Sequence, residues 1–419
     1  MTTRTPRRPR AVRAPANPPA PRRPRLPAGL ALSLAAIVAA TLTPSASEGA
    51  AGWDGCVLCG DRGLADALLN LALFAPLGAA LARRGMRMPA ALVLAAALSA
   101  FVEAAQLAIP GRDPSPPDLL FNALGAAAGY AAGARIDGLL RPSPRAAGRL
   151  ALGWSLAFAA VVAGTGWLAA PAPPPGPYVG QWTPRVADYP RLPARILDAR
   201  IGGVSVPRGS VGPADSVRAA LAASRPMEVR WIVERRIGEP GPLLRLVGAG
   251  GDEAAALFID REDLILVRRT RAARLRLDRP VLRAPGVIRG TVPGDTVRLG
   301  VRMDGRTATF GNDSGWSARD GMGPGRGWAL LFSVLSMRGG TARALDGLWL
   351  FLWMAPLGFW LRLRSPSAVS LAIAAAALAV LPPLAALAPV HISEAIGACC
   401  GLLAGASLRR VIHRPPSPV

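Results

Sequence analysis

The chain has 419 residues, a mean hydropathy of +0.31 and a formal charge of +23 at pH 7. All 49 basic residues are arginine, which excludes Schiff-base catalysis by lysine and phosphate binding by a P-loop lysine. His391 and His413 are the two histidines, which are too few for a histidine-rich metal site. A chain this apolar and basic suits a membrane or a nucleic-acid partner, and the arginine positions distinguish the two.

Eight apolar segments are long enough to cross a bilayer, which takes roughly 17–25 residues. They cover residues 27–44, 65–82, 89–109, 118–134, 150–170, 344–361, 367–388 and 391–408. The first follows a basic tail at 1–26 and is either a retained anchor or a cleaved signal sequence. We favour the anchor because the apolar run is longer than a usual signal core.

Arginine is concentrated on one side of this topology. The two tails and the alternate short loops contain 20 arginines and a single acid, Asp137, whereas the other short loops contain two arginines and six acids. This distribution is the positive-inside pattern. It predicts a protein of the bacterial inner membrane with both termini in the cytoplasm, and it leaves little support for a nucleic-acid partner.

Polar residues recur near one end of spans 2, 3 and 4 and in the loop between spans 3 and 4. They are Asp66, Asn70, Glu103, Gln106, Arg112, Asp113, Asp118 and Asn122. The six inside or beside spans form three pairs spaced three or four residues apart, so each pair shares one helical face. A carboxylate within a span needs a partner, and we expect Glu103 to pair with Arg112, Gln106 or Asn70.

This polar set allows three interpretations. Its members either only join the helices by mutual hydrogen bonds, or form an outward-facing site for a headgroup, a sugar or a cation. Catalysis by Glu103 and Asp113 as paired carboxylates is the less favoured third interpretation.

Spans 2 to 4 also carry a family pattern within residues 60–135. It consists of the segment NLALFAPLG at 70–78, Glu103 and Gln106, Arg112 and Asp113, and Asp118, Asn122, Gly125 and Gly129. In these features the chain resembles the VanZ-like membrane family. The resemblance implies a helical-bundle protein of the cell envelope with a link to resistance to the glycopeptide teicoplanin, and it implies no defined reaction.

The last three spans repeat part of this pattern. The segment APLG at 355–358 matches residues 75–78, and Asp346 matches Asp66. Glycines at 397, 401 and 405 match those at 125, 129 and 133, which puts Glu394 at the position of Asn122. We interpret residues 343–410 as a degenerate second copy; a chance likeness between small-residue spans is the alternative.

The polar region between spans 5 and 6 contains short alternating runs separated by turn sequences. The runs cover residues 227–234, 243–248, 254–259, 263–268, 273–277, 296–303 and 327–333. They predict an all-β sandwich. Their order resembles the concanavalin A-like and laminin-G-like domains, with residues 327–332 as the closing strand, which implies glycan binding. No dense acidic loop is present, so we expect neither a metal site nor a cofactor.

Cys56 and Cys59 lie in the first short loop on the side predicted to be extracytoplasmic. Cysteines in that compartment tend to be oxidised, so we predict a local disulfide. A redox role is the less favoured alternative because no thioredoxin-like pattern surrounds the pair.

The sequence therefore predicts a polytopic α-helical membrane protein with eight transmembrane helices and an extracytoplasmic β-sandwich between helices 5 and 6. The predicted domains are a tail at 1–26, a five-span VanZ-like bundle at 27–170, the sandwich at 171–338, three spans at 343–410 and a tail at 411–419. Membrane lipids and an anionic envelope polymer or lipid-linked glycan are the expected partners. Binding or sensing of such a component is the expected function; an enzyme or transporter for a lipid-linked headgroup is the alternative.

Overall fold

A computed structural model describes residues 28–43, 57–58, 60–109, 115–186, 189–333, 335, 337–362 and 365–413. The helices pack in two groups: α1 to α4 pack against one another, and α6, before a β domain, packs against α8 and α9, which follow that domain. The helices are α1 Ala28–Thr41, α2 Gly63–Arg83, α3 Met88–Gln106, α4 Pro116–Ala134, α5 Ile136–Leu140, α6 Pro144–Leu168, α7 Ala214–Ala222, α8 Gly339–Trp360, α9 Ser365–Ala379, α10 Leu381–Leu384 and α11 Ile392–Ile412.

Four helices in the described part of the chain are long and apolar enough to cross a membrane, namely α2, α3, α6 and α11. Helix α1 and residues 368–379 of α9 are shorter apolar segments. The chain is therefore a multi-pass membrane protein, and the count of eight crossings stays a prediction. The segment expected to span at 367–388 is interrupted, because Pro382 and Pro383 lack the N–H groups that would continue α9.

Helices α2 and α4 pack closely through glycine. A Cβ atom added to Gly78 would collide with the carbonyl group of Ala126, and one added to Gly129 would collide with the carbonyl group of Ala75. Small residues at such positions let two helix backbones approach each other inside a membrane. We call α2 and α4 the first pair.

Helices α8 and α11 pack in the same way, and we call them the second pair. Gly358 lies against the backbone of Leu402, and Gly405 lies against the carbonyl group of Ala355. The contacts of Gly358 and Gly405 thus reproduce those of the glycines at 78 and 129 in the first pair.

These contacts correct the register expected for the repeat. Glu394 precedes Gly405 by the same 11 residues by which Asp118 precedes Gly129. Glu394 is therefore the counterpart of Asp118. The sequence suggested Asn122 instead, which lies one helical turn from Asp118. In the first helix of each pair, Asp66 and Asp346 stay equivalent, since each precedes the APLG glycine by 12 residues.

The β domain consists of two six-stranded antiparallel sheets between residues 178 and 321. The strands are β1 Tyr178–Trp182, β2 Ala194–Ile201, β3 Val204–Ser205, β4 Gly209–Val211, β5 Met227–Val233, β6 Gly241–Gly248, β7 Glu253–Asp260, β8 Asp263–Arg268, β9 Val281–Ala284, β10 Thr296–Asp304, β11 Thr307–Asn312 and β12 Gly315–Gly321. Their order is β4-β1-β6-β7-β8-β9 in one sheet and β12-β11-β10-β5-β2-β3 in the other. Fully buried side chains such as Tyr178, Trp231 and Phe310 fill the core.

Two of the predicted strands are 3-10 helices instead. Residues expected as a strand at 273–277 lie largely in a 3-10 helix at Arg271–Leu275, and those at 327–333 lie largely in one at Pro324–Leu330. In the second case the backbone N–H groups of Leu331 and Phe332 both donate to the carbonyl oxygen of Trp328, so they form local hydrogen bonds and not those of a strand ladder. The expected closing strand is therefore wrong, and the Pro324–Leu330 helix instead packs on α6 and α8.

Candidate functional site

The polar residues predicted from spans 2 to 4 lie at the end of the bundle that faces the β domain. Helices α2 and α4 begin there, and α3 ends there. Backbone N–H groups of Leu64 and Ala65 donate to the carbonyl oxygen of Arg276 in the β domain, at 3.2 and 3.3 Å. The start of α2 is thus held directly against the β domain.

Three helices bring carboxyl groups together at this end. The backbone N–H of Ser115, which precedes α4, donates to Oε2 of Glu103 at 2.7 Å. The carboxyl group of Asp118 interacts with the side chains of Asn70 and Ser115, and Glu103 and Asp66 are close enough to interact with it electrostatically. We call Asp66, Asn70, Glu103 and Asp118 the polar cluster.

Asn122 lies one turn deeper in α4 and is 2% exposed. Its Nδ2 donates to the hydroxyl of Ser99 at 2.9 Å, whereas its Oδ1 is buried and has no hydrogen-bond partner among the described residues. A buried acceptor without a partner costs free energy, roughly 1–3 kcal/mol. This oxygen is therefore an available acceptor beneath the polar cluster.

Gln106 joins two helices, as one of the interpretations of the polar set allowed. Its Nε2 donates to the carbonyl oxygen of Thr41 at 3.0 Å and thereby joins α3 to α1. The structure therefore does not pair Gln106 with Glu103. Arg112, Asp113, Cys56 and Cys59 lie outside the described residues, so their predicted roles stay predictions.

Asp66 connects the polar cluster to the β domain through Arg62. An Nη atom of Arg62 lies 3.8 Å from Asp66, and its Nε lies 3.4 Å from Asp278 in the β domain. Burial raises the pKa of Asp278, while the charge of Arg62 opposes that rise. The side chains of Arg62 and Asp66 are 42% and 52% exposed, so this link is open to solvent.

The second pair holds a buried ion pair that the sequence analysis missed. Nη2 of Arg326 lies 3.0 Å from Asp346, and the indole N–H of Trp328 donates to the same carboxylate at 2.9 Å. Arg326 also pairs with Asp320. The side chains of Arg326 and Asp346 are 7% and 5% exposed, so water is nearly absent from this contact.

Glu394 completes the arrangement in the second pair. Its Oε1 accepts the backbone N–H of Gly325 at 2.8 Å, and its Oε2 accepts the N–H of His391 at the start of α11. Both carboxylates of the second pair are thus occupied by the 3-10 helix at Pro324–Leu330 and by local capping. The sequence did contain a signal for the buried ion pair. Asp346 is a lone acid in a span, and an arginine in a glycine-rich segment precedes it.

Comparison with known proteins covers only the first part of the chain. Residues 31–136 match the model of a family described as VanZ/LLP1, and this range contains the polar cluster. No curated protein matches the chain, and no solved structure does. The matched range ends before the β domain, so the resemblance of that domain to lectins stays a prediction.

Proposed function

From the VanZ/LLP1 match over residues 31–136 and the polar cluster within it, we propose that this membrane protein binds or senses a component of the bacterial cell envelope. The ligand is a glycan or a lipid-linked molecule, and its polar or cationic groups contact the polar cluster. By binding such a component the protein affects tolerance of glycopeptide antibiotics.

One observation carries this proposal: the carboxyl groups of Glu103 and Asp118 lie together on separate helices, above an Oδ1 atom of Asn122 that no described residue hydrogen-bonds. Ionisable groups within membrane helices are costly and usually functional. In the second pair Asp346 and Glu394, the counterparts of Asp66 and Asp118, are satisfied by an arginine and backbone N–H groups. That arrangement indicates the kind of group that the first pair accepts, namely a donor or a cation.

The β domain supports the same proposal through its architecture and charge. Two packed antiparallel sheets are the scaffold of concanavalin A-like and laminin-G-like domains, and we assign the β domain a glycan-binding role on that likeness. Residues 171–345 contain 27 arginines and 16 acids, a surplus that favours anionic polymers.

The arginine distribution orients the protein in this proposal. Since 20 arginines and one acid occupy the tails and alternate loops, both termini are cytoplasmic and residues 171–338 face the extracytoplasmic side. The polar cluster, at the end that faces the β domain, then opens toward the envelope.

The test is Glu103→Gln, which keeps an acceptor for the N–H of Ser115 but removes the charge. We expect full insertion in the membrane and loss of the effect on teicoplanin susceptibility when the variant is expressed in place of the wild type. Glu234→Gln, at an exposed site of the β domain, is the matched control. Unchanged susceptibility with Glu103→Gln would contradict the proposal.

A second measurement separates binding from catalysis. Purified protein is incubated with a lipid-linked peptidoglycan precursor, and both retention and chemical conversion of the precursor are measured. Retention without conversion supports the proposed binding function. Conversion that disappears with Glu103→Gln would instead support an enzyme.

A further inference from the structure

Three arginines of the β domain lie together where this domain meets the helix bundle. We call Arg268, Arg271 and Arg306 the arginine triad. Nε of Arg306 donates to the carbonyl oxygen of Gly166 in α6 at 3.1 Å, and its backbone N–H donates to Ala386, just after α10, at 2.8 Å. The triad is therefore fixed at the ends of two bundle helices.

An open cavity of about 610 Å³ lies beside the triad. Arg271 and Arg306 line it together with Ser224 and Asp304. Arg268 reaches the same place, since its Nη1 donates to the hydroxyl of Ser224 at 3.2 Å. The cavity has room for a lipid headgroup.

The triad has no carboxylate partner in the described part of the chain: none of its three members has an acidic oxygen within 4.0 Å. Asp304 borders the cavity but forms no ion pair with any of these three arginines. Elsewhere in the β domain, buried arginines are paired, as Arg283 is with Asp260 and Asp263. Each guanidinium has five N–H donors, of which described residues accept one from Arg268 and one from Arg306.

Burial and the neighbouring positive charges both disfavour the charged forms of Arg268 and Arg306. Burial and, next, the charge of Arg306 lower the pKa of Arg268 to about 10. Burial and the charge of Arg271 lower the pKa of Arg306 in the same way. An anion in the cavity would offset this repulsion and satisfy the remaining donors.

The cavity lies just beyond the end of the apolar helix α6, since Ala170 and Pro171 line it. Trp167, in the last turn of the apolar helix α6, is 56% exposed, and the guanidinium carbon of Arg271 lies 5.2 Å from its ring centroid. Tryptophan is enriched at membrane–water interfaces, where lipid headgroups lie. The geometry thus brings the triad within reach of lipid phosphates.

We propose that the arginine triad binds the phosphate group of a lipid in the leaflet on the side of the β domain. Guanidinium groups match the oxygens of a phosphate with two parallel hydrogen bonds, which favours arginine at such sites. The lipid tail stays in the bilayer beside Trp167. This site is separate from the polar cluster and does not depend on Glu103 or on the function proposed for it.

The experiment titrates full-length protein in detergent with phosphatidylglycerol, phosphatidylcholine or inorganic phosphate and follows the thermal midpoint. The test variants are the triple change Arg268→Gln, Arg271→Gln and Arg306→Gln, and the single change Arg271→Gln, which removes no hydrogen bond to a described residue. The matched control changes three exposed arginines, Arg208, Arg235 and Arg236, to Gln and removes the same charge.

We expect phosphatidylglycerol to raise the midpoint of the wild type and of the control equally. The triple variant should need at least about tenfold more lipid, which corresponds to a loss of about 1.4 kcal/mol of binding free energy. Should the triple variant fail to fold, the single variant must still show a weaker response. Equal protection by inorganic phosphate would overturn the lipid assignment, and an unchanged response of the variants would overturn the site.

Discussion

The two helix pairs share one packing geometry but differ in what their carboxylates contact. In both pairs, glycines bring the helix backbones into contact at equivalent positions. In the second pair, Asp346 is buried against Arg326. In the first pair, its counterpart Asp66 is half exposed beside Arg62.

The same packing of two helices is thus compatible with different contacts of their carboxylates. The second pair uses its acids as attachment points for the β domain, so they are satisfied from within the chain. Beside the first pair, Glu103 of α3 lies near Asp118 of α4, within the range that matches the VanZ/LLP1 family. Three changes test this comparison, from the largest expected effect to the smallest.

Arg326→Gln tests the attachment in the second pair. It leaves the buried Asp346 without its cation, and loss of one partner of a buried ion pair costs about 3–5 kcal/mol. We expect a large fall in the free energy of unfolding, measured by tryptophan fluorescence in detergent, and faster proteolysis of the β domain. Arg200→Gln, which breaks the exposed pair with Asp198, is the control and should change little. A loss below about 1 kcal/mol in Arg326→Gln would show that the buried pair is not an attachment.

Alanine at equivalent glycines tests whether the two pairs pack alike. Gly129→Ala and Gly405→Ala each place a Cβ against a carbonyl group of the facing helix, and overpacking typically costs about 1–3 kcal/mol. We expect similar losses of stability in both, measured by thermal unfolding in detergent. Gly153→Ala in α6 meets open space and should be neutral or stabilising. Tolerance of only one of the two substitutions would contradict the shared geometry.

Arg62→Gln tests the solvent-exposed link of the first pair. The pair of Arg62 with Asp66 is half exposed, so its loss should cost about 0.2–1 kcal/mol at neutral pH, and loss of the pair with the less exposed Asp278 adds to that cost. The raised pKa of Asp278 adds a pH dependence. Burial disfavours the charged form of Asp278, and the variant removes the cation beside it. The stability lost in Arg62→Gln should therefore become smaller as the pH falls and Asp278 becomes protonated. The measurement is the unfolding midpoint of wild type and variant at a series of pH values from neutral to acidic. A difference between the two midpoints that grows in acid would contradict the prediction.

Periodicity and hydropathy were sufficient to predict the multi-pass helices and the two-sheet insert. Long apolar runs such as α2 and α6, and the alternating run of β5, carry their burial pattern in the sequence. The register of the repeat was predicted wrongly by one turn. Glycines at every fourth residue of α11 match those of α4 almost as well after a shift of four residues, so only the packing of the facing helix decides between the two registers.

The contacts around Arg326 were beyond sequence reasoning for a related reason. A glycine-rich segment with apolar residues resembles a strand in sequence. The sequence does not show that its polar groups bind partners outside the sheet. Here those partners are Asp346 and Glu394 on two different helices, and the segment folds as a 3-10 helix to reach them. Likewise, the position of Asp118 near Asn70 depends on how α2 and α4 face each other.

The spacing of Arg326 and Asp346 has a consequence for biogenesis. A carboxylate at the centre of a membrane helix costs about 2.5–3.5 kcal/mol during insertion. Only 20 residues separate Asp346 from its cation, so the arginine leaves the ribosome shortly before the acid. In the topology predicted from the sequence α8 crosses the membrane, and it would bring its own counterion on the adjoining segment, so its integration need not await the folding of the two sheets.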